Sequence, residues 1–265
     1  MDGFLVEADL VALPSLAPEL FVHGVYYTGD EGRRAPVKPD DLFATSAWNS
    51  GDVVLQHLDR DEIANVLTHG VGVLLSVGAG AALIALAALQ AGTREMISVA
   101  IFSASLVLLY SASTLYHAAR HPETKARLKV LDHCAIFILI AGTYTPFTIA
   151  AIRGGWGWSL FGVIWGMALV GIVFKLFFTG RFKLLSTAMY IGMGWLVIIA
   201  LVPLVQALSG AGLAWLVAGG VLYTAGTLFY HRESIPYSHA IWHGFVLAGS
   251  GCHFVAVAIE MLEMN

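Results

Sequence analysis

Charged residues are scarce in this sequence, and cysteine is almost absent. Only 12% of the 265 residues are charged and 58% are hydrophobic, whereas a soluble domain has about 25% charged residues. Cys134 and Cys252 both lie in apolar runs and form neither a CxxC pair nor a disulfide framework, so we interpret them as small buried hydrophobes. Lysine and arginine form no block that suggests nucleic-acid binding. The composition therefore excludes a wholly soluble protein and indicates an integral membrane protein.

The N-terminus lacks the basic stretch of a cleaved signal peptide. It begins with the acidic sequence MDGFLVEADL, so we expect the first membrane span to direct insertion. Residues 1–58 contain the polar, Pro- and Gly-punctuated stretch GDEGRRAPVKPDD. We predict a polar, flexible cytoplasmic region here, with a folded domain as the alternative. Residues 59–265 are predicted to form the transmembrane domain.

Long apolar runs dominate the rest of the chain. Each is long enough for a helix to cross a hydrocarbon core of about 30 Å, which takes about 20 residues. The connections are short and contain turn signals such as RGGWGW and LSGAG. The predicted fold is an all-α, seven-transmembrane helix bundle with spans near 66–89, 96–117, 132–151, 157–178, 185–208, 212–230 and 239–261.

The basic residues predict how the bundle is oriented. One set of connections carries Arg120, Lys125, Arg127, Lys129, Arg181, Lys183 and Arg232, whereas the opposite set carries Arg94 and Arg153. Basic loops stay in the cytoplasm. We therefore expect a cytoplasmic N-terminus and a C-terminus on the outside.

Gly162 and Gly166 form a GxxxG pair in the fourth predicted span. Such pairs let two helices approach closely. We favour packing within the bundle, and the alternative is an interface between two copies in a homo-oligomer.

Polar residues inside the spans are expensive in lipid and mark candidate functional sites. Ser113 and His117 are four positions apart near the end of the second span, Asp132 begins the third, and His239 and His243 are four positions apart at the start of the seventh. Under the predicted orientation, all five lie at the cytoplasmic ends of their spans. Residues four apart share a helix face, so the three histidines can meet.

The first span brings polar groups to the same side. Glu62, Asn65 and His69 are separated by three and seven positions, which places them on one helix face.

Three imidazoles that leave one position open are the ligand set of a catalytic zinc site. The alternative is a polar or interfacial histidine pair without a metal, and imidazole also suits copper, iron and nickel. Asp132 can orient an attacking water and accept its proton. Ser113 can bond Asp132 or a substrate carbonyl, although a serine that bonds its own helix carbonyl is equally common.

Four motifs in this order resemble hemolysin III–type proteins, which are bacterial members of the progestin and adipoQ receptor family. The motifs are EIANVLTHGVG, SASTLYHAARH, LDHCAIFILIAGTYTPF and HAIWHGFVLAGSGCHF, and the resemblance covers about residues 59–261. It implies seven helices, a cytoplasmic N-terminus and location in the bacterial inner (plasma) membrane.

The resemblance also implies a zinc ion near the cytoplasmic side. By motif, its ligands are His117, His239 and His243. The family's serine and aspartate match Ser113 and Asp132.

Glu62 and Asn65 match the family's first motif. The resemblance implies that they support the zinc ligands or have a structural role.

The family looks related to the alkaline ceramidases, which implies metal-dependent hydrolysis of a lipid amide or ester with membrane lipids as partners and a fatty-acyl substrate or product. One alternative is a non-catalytic receptor or regulator of membrane lipid and energy homeostasis with structural zinc. The other is a pore-forming haemolysin, which the few polar residues in the outer halves of the spans argue against.

Overall fold

The structure, a computed structural model, describes residues 6–7, 26–28, 34–36, 60–232 and 234–263. The chain divides into two compact units, Met1–His57 and Leu58–Asn265. In the first unit, strands β1 (Val6–Glu7), β2 (Tyr26–Thr28) and β3 (Arg34–Pro36) form an antiparallel sheet in that order, with Tyr27 opposite both Val6 and Ala35. The prediction of a flexible region at residues 1–58 falls mostly outside the described residues and stays a prediction.

Seven helices of the described residues are long and apolar enough to cross a membrane, which confirms the predicted all-α, seven-span fold. Two spans contain irregular segments. The elements are α1 (Arg60–Gln90), α2 (Thr93–Ala118), α3 (Pro122–Thr145) continued by a π-helical segment (Pro146–Ile152), α4 (Gly154–Phe178), α5 (Lys183–Trp195) continued by a 3₁₀ segment (Leu196–Ala200) and α6 (Leu201–Ala207), α7 (Gly210–Tyr230) and α8 (Ser238–Glu263). The side of the membrane on which each terminus lies stays a prediction.

Two helices begin well before their apolar runs. α1 begins at Arg60 and α3 at Pro122, whereas the hydropathy pattern placed the spans from 66 and 132. Proline is favoured in the first turn of a helix, because the amide that it lacks has no helical acceptor there. These polar first turns project beyond the apolar zone and carry Glu62 and Lys125. Both residues contribute to the site described below.

The end of α3 lies against the irregular part of the fifth span. Pro146 begins the π-helical segment, and proline removes one backbone hydrogen bond of a helix. The Tyr144 hydroxyl donates to the carbonyls of Met193 or Gly194, each 2.8 Å away, and accepts from the Val197 amide at 2.9 Å. A buried phenol thus satisfies backbone groups freed where α5 ends.

The inner layer of the bundle is formed by the second, third and seventh spans. Between 50% and 67% of their most apolar windows is buried, against 17% for the fifth and sixth spans. α2 packs on α1 and α3, and α8 packs on α7 and α1. The last turn of α2 and the first turns of α8 and α1 therefore come together around the interior.

The predicted packing role of the GxxxG pair is wrong within this chain. Gly162 and Gly166 are exposed, and a Cβ added to either would meet no described atom within 4 Å. Close helix contacts lie at other glycines: a Cβ on Gly142 would overlap Ser105, and one on Gly171 would overlap the Phe137 ring. The spacing of two glycines does not reveal which face of α4 meets a neighbour.

Candidate metal centre

Three histidines from two helices converge at one end of the bundle. His117 lies in the last turn of α2, and His239 and His243 lie in the first two turns of α8. One ring nitrogen from each lies within 4.8 Å of the other two. His117 and His243 are only 3% and 2% exposed, and His239 is partly buried. We call these residues the histidine cluster.

Two hydrogen bonds determine which nitrogens of the cluster are free. The His117 Nδ1 lies 2.5 Å from Glu62 Oε2, and an ionised carboxylate can only accept, so this nitrogen carries the proton. The His243 Nδ1 lies 3.2 Å from Thr68 Oγ1, whose own hydrogen is directed to the carbonyls of Ala64 or Asn65 in α1. In both rings the Nε2 lone pair is therefore left for another partner.

This arrangement fits a metal ion. The His117 Nε2 is buried and has no hydrogen-bond partner among the described residues. A buried imidazole nitrogen without a partner is costly. A carboxylate that holds the opposite nitrogen is the usual support of a metal-bound histidine. The cluster can hold one ion, and its donors suit zinc and other first-row transition metals.

Glu62 links the cluster to the start of α3. Its Oε1 accepts a hydrogen bond from Lys125 Nζ at 2.6 Å, while its Oε2 contacts His117. Asn65 Nδ2 lies 3.5 Å from the same Oε2. The sequence identifies Lys125 only as a basic loop residue. In the structure, Lys125 forms an ion pair with the Glu62 carboxylate.

Ser113 and Asp132 face the same space as the histidines. Both line one cavity together with His239 and His243. The Ser113 hydroxyl is buried and lies near the Asp132 carboxyl, but it makes no hydrogen bond of standard geometry to the described residues. Ser113 therefore does not bond its own helix carbonyl, and its proton remains for Asp132 or a ligand.

The cavity that contains these residues has a volume of about 250 Å³. It extends from the histidine cluster past apolar side chains of α3, α5, α7 and α8 to His253. His243 and His253 are ten positions apart in α8, which corresponds to about 15 Å along the helix. A mainly apolar cavity with a few polar groups is typical of a site that binds a small molecule.

Sequence reasoning gave His69 no role at the site. Its ring stacks on His243 with centroids 3.5 Å apart and an interplanar angle of 15°. Both of its nitrogens are buried and have no partner among the described residues. His69 is not among the residues whose ligand atoms all lie within 4.8 Å of one another. It borders the cluster as a packing partner, and its position seven residues after Glu62, on the same helix face, was the available signal.

Comparison with known proteins identifies the family. A family model described as "Haemolysin-III related" matches residues 59–254.

The chain belongs to the haemolysin-III family. The "Hemolysin-3 homolog" of Bacillus subtilis (strain 168) is 52% identical over 205 residues, which cover 77% of this chain and 96% of that protein. "Hemolysin-3" of Bacillus cereus is 45% identical over 203 residues, covering 77% and 93% of the two chains. The matched model and the bacterial relatives, with seven apolar helices, make this a multi-pass integral membrane protein.

A more distant likeness extends beyond the bacterial haemolysin-III proteins. The human "Monocyte to macrophage differentiation factor" is 27% identical over 206 residues, which cover 74% of this chain and 83% of that protein. These matches confirm the predicted relation to hemolysin III–type and progestin and adipoQ receptor proteins.

Proposed function

We propose that this haemolysin-III protein is a zinc-dependent hydrolase of lipid amides or esters, such as ceramide-like substrates, in the bacterial inner membrane. One observation carries the proposal: the Asp132 carboxyl and the Ser113 hydroxyl line a long apolar cavity at the same end as His239 and His243 of the histidine cluster. Hydrolysis of a lipid needs a polar reacting end beside an apolar chain.

His117, His239 and His243 would hold the zinc ion. Bound by three imidazoles, zinc supplies Lewis-acid polarisation of a carbonyl oxygen and makes water a stronger nucleophile at neutral pH. Glu62 and Thr68 hold two of the rings by their Nδ1 atoms, 2.5 and 3.2 Å away. This support presents both Nε2 atoms for the metal before it arrives.

Asp132 and Ser113 would perform the remaining chemistry. The Asp132 carboxylate accepts the proton of the attacking water and later returns it to the leaving amine or alcohol. The Ser113 hydroxyl donates a hydrogen bond to the carbonyl oxygen as negative charge develops there. Because this hydroxyl has no hydrogen bond of standard geometry to the described residues and lies near Asp132, turning it toward the substrate breaks no bond to its own helix.

The apolar cavity would hold the acyl chain. Ile198, in the 3₁₀ segment after α5, and Val217 of α7 both line it. They are also 56% and 53% exposed, so the cavity wall between these helices reaches the lipid-facing surface. We infer that a lipid enters sideways between the fifth and sixth spans and reaches the histidine cluster with its carbonyl.

The decisive experiment measures metal content and fatty-acid release together. Purified wild-type protein, His243→Ala and Asp132→Asn would be incubated with ceramide, an N-acyl amide or a phospholipid in vesicles. We expect about one zinc per wild-type chain, loss of zinc and activity in His243→Ala, and Asp132→Asn that keeps zinc but is at least about 100-fold slower. Zinc-loaded wild type that releases no fatty acid from any of these lipids would contradict the hydrolase proposal.

A second candidate is a non-catalytic receptor or regulator with structural zinc. Its supporting observation is that the cluster joins α2 to α8, while Glu62 and Thr68 tie both to α1. A metal there would fix three helices. Zinc in the wild type with unchanged lipid turnover in Asp132→Asn would favour this candidate. The pore suggested by the relatives' name finds no support in a cavity lined mainly by apolar side chains.

A further inference from the structure

The cavity has a second polar region, away from the histidine cluster. Farther into the bundle, His253 and Tyr223 both line the cavity, with ring centroids 5.4 Å apart. Val246, which lies between His243 and His253 in α8, gives the cavity an apolar wall between the two regions. A polar pair buried in the middle of a membrane span is costly, so its remaining hydrogen-bonding capacity needs an explanation.

His253 offers a free acceptor. Its Nε2 lies 3.1 Å from the carbonyl oxygen of Leu216. A carbonyl can only accept, so Nε2 carries the ring proton and Nδ1 holds a lone pair. That Nδ1 is buried and has no hydrogen-bond partner among the described residues. A ligand here must therefore donate a hydrogen bond to His253.

Tyr223 offers a free donor. Tyr110 donates to Ser250 Oγ at 2.7 Å, and Ser250 Oγ lies 2.7 Å from the Tyr223 hydroxyl oxygen. Within the part of the chain that the structure describes, Tyr223 is the remaining acceptor for the Ser250 proton. If each hydroxyl in this series of hydrogen bonds donates once, from Tyr110 to Ser250 and from Ser250 to Tyr223, the phenol proton of Tyr223 remains without an acceptor. A ligand beside it must therefore accept a hydrogen bond.

We propose that Tyr223 and His253 form a specificity subsite for a hydroxyl group in the middle of the acyl chain. A hydroxyl both donates and accepts and so offers what each of the two neighbouring residues lacks, whereas a keto group cannot donate to His253 Nδ1. Ser250 and His253 lie seven and ten positions beyond His243, about 10 to 15 Å along the helix. An extended chain whose carbonyl lies at the cluster thus presents roughly its tenth carbon here. The preferred ligand is a fatty-acyl chain hydroxylated near that carbon.

This inference rests on the proposed binding of an acyl chain but not on hydrolysis, so binding is the measurement. Detergent-purified, zinc-loaded protein would bind tritiated stearic acid, which is then displaced by unlabelled stearic acid or by 10- or 17-hydroxystearic acid. Because a neutral hydrogen bond contributes modestly, we expect the 10-hydroxy acid to compete at about three- to tenfold lower concentration than stearic acid. The 17-hydroxy isomer carries the same group at the wrong depth and should lack this advantage.

Three variants isolate the subsite. Tyr223→Phe removes only the phenol oxygen. His253→Gln keeps an N–H for the Leu216 carbonyl but has no acceptor at the position of Nδ1. Either change should abolish the preference for the 10-hydroxy acid. Thr143→Val is the matched control, because Thr143 also lines the cavity but bonds its own helix carbonyl at Leu139, 2.8 Å away. It should keep the preference. Thermal unfolding of each variant identifies any that is misfolded. If His253→Gln is misfolded, the result for Tyr223→Phe decides the test.

The outcomes separate the two proposals. Displacement by stearic and 10-hydroxystearic acids at the same concentration would overturn the hydroxyl subsite, with a trapped water as the partner of both residues, and would leave the hydrolase proposal standing. A preference that persists in Tyr223→Phe would also overturn the subsite. No saturable binding of stearic acid would overturn both the subsite and the acyl-chain cavity.

Discussion

The bond between Glu62 and His117 makes metal affinity at the histidine cluster depend on a residue that does not contact the metal. Glu62→Gln keeps the shape of the side chain but replaces a carboxylate with a neutral amide. The bond is short, at 2.5 Å, and the side chains of His117 and Glu62 are only 4% and 25% exposed, so water can replace only part of what is lost. A hydrogen bond to a charged group is stronger than a neutral one by about 1 to 1.5 kcal/mol. That difference corresponds to about a tenfold loss of affinity, at the lower end of the effects seen for residues that support metal ligands.

Competition with a chelator of known zinc affinity measures this loss in detergent-purified protein. Glu95→Gln is the matched control: Glu95 lies in the same helix as His117, 22 positions earlier and about 33 Å away, and is paired with Arg153 at 3.0 Å. We expect Glu95→Gln to bind zinc like the wild type. Equal zinc affinity in Glu62→Gln and wild type would refute the argument, and so would an equal loss in both variants.

Three further predictions concern the frame of the site. Lys125→Met removes the cation 2.6 Å from Glu62 Oε1 but leaves the His117 bond, so chelator competition should show less zinc loss than in Glu62→Gln; a greater loss would contradict this. Tyr144→Phe leaves the Val197 amide and two carbonyls of the α5 end without their phenol, and thermal unfolding should show destabilisation of about 1–3 kcal/mol, whereas an unchanged melting temperature would be inconsistent with that role. Gly171→Ala places a methyl group into the Phe137 ring and should lower the free energy of unfolding by about 1–3 kcal/mol. In Gly162→Ala, in the same helix, the new methyl group meets no described atom within 4 Å, so the free energy of unfolding should be unchanged or higher by up to about 1 kcal/mol. Equal melting temperatures of these two variants would contradict the packing described for α4.

The order of the polar motifs along the chain was sufficient to predict much of the site. His239 and His243 had to share a face because four positions make about one helical turn. His117 could be placed at the same end because the second span ends on the side of the membrane where the seventh span begins. Hydropathy likewise predicted the seven spans, since any continuous apolar run of this length must be helical in lipid. It misplaced the starts of α1 and α3, because polar helical turns beyond the apolar zone leave no hydropathy signal.

Other features depend on how the helices pack against one another. The Glu62 bond to His117 and the Thr68 bond to His243 join residues 55 and 175 positions apart, so sequence spacing contains no trace of them. A series of hydrogen bonds also joins three helices through Tyr110, Ser250 and Tyr223. Each of these residues alone resembles an ordinary residue of a membrane span.

Residue order is enough to identify a seven-helix membrane protein whose histidines can meet at one end, because apolar length and helical periodicity are local properties. Three features emerge only from the packed helices: which nitrogens face the cluster, the close contact of α4 at Gly171 rather than at the GxxxG pair, and the cavity that connects the histidines to His253. They cannot be predicted from local patterns, since helix rotation and crossing are set by side-chain packing between segments distant in sequence.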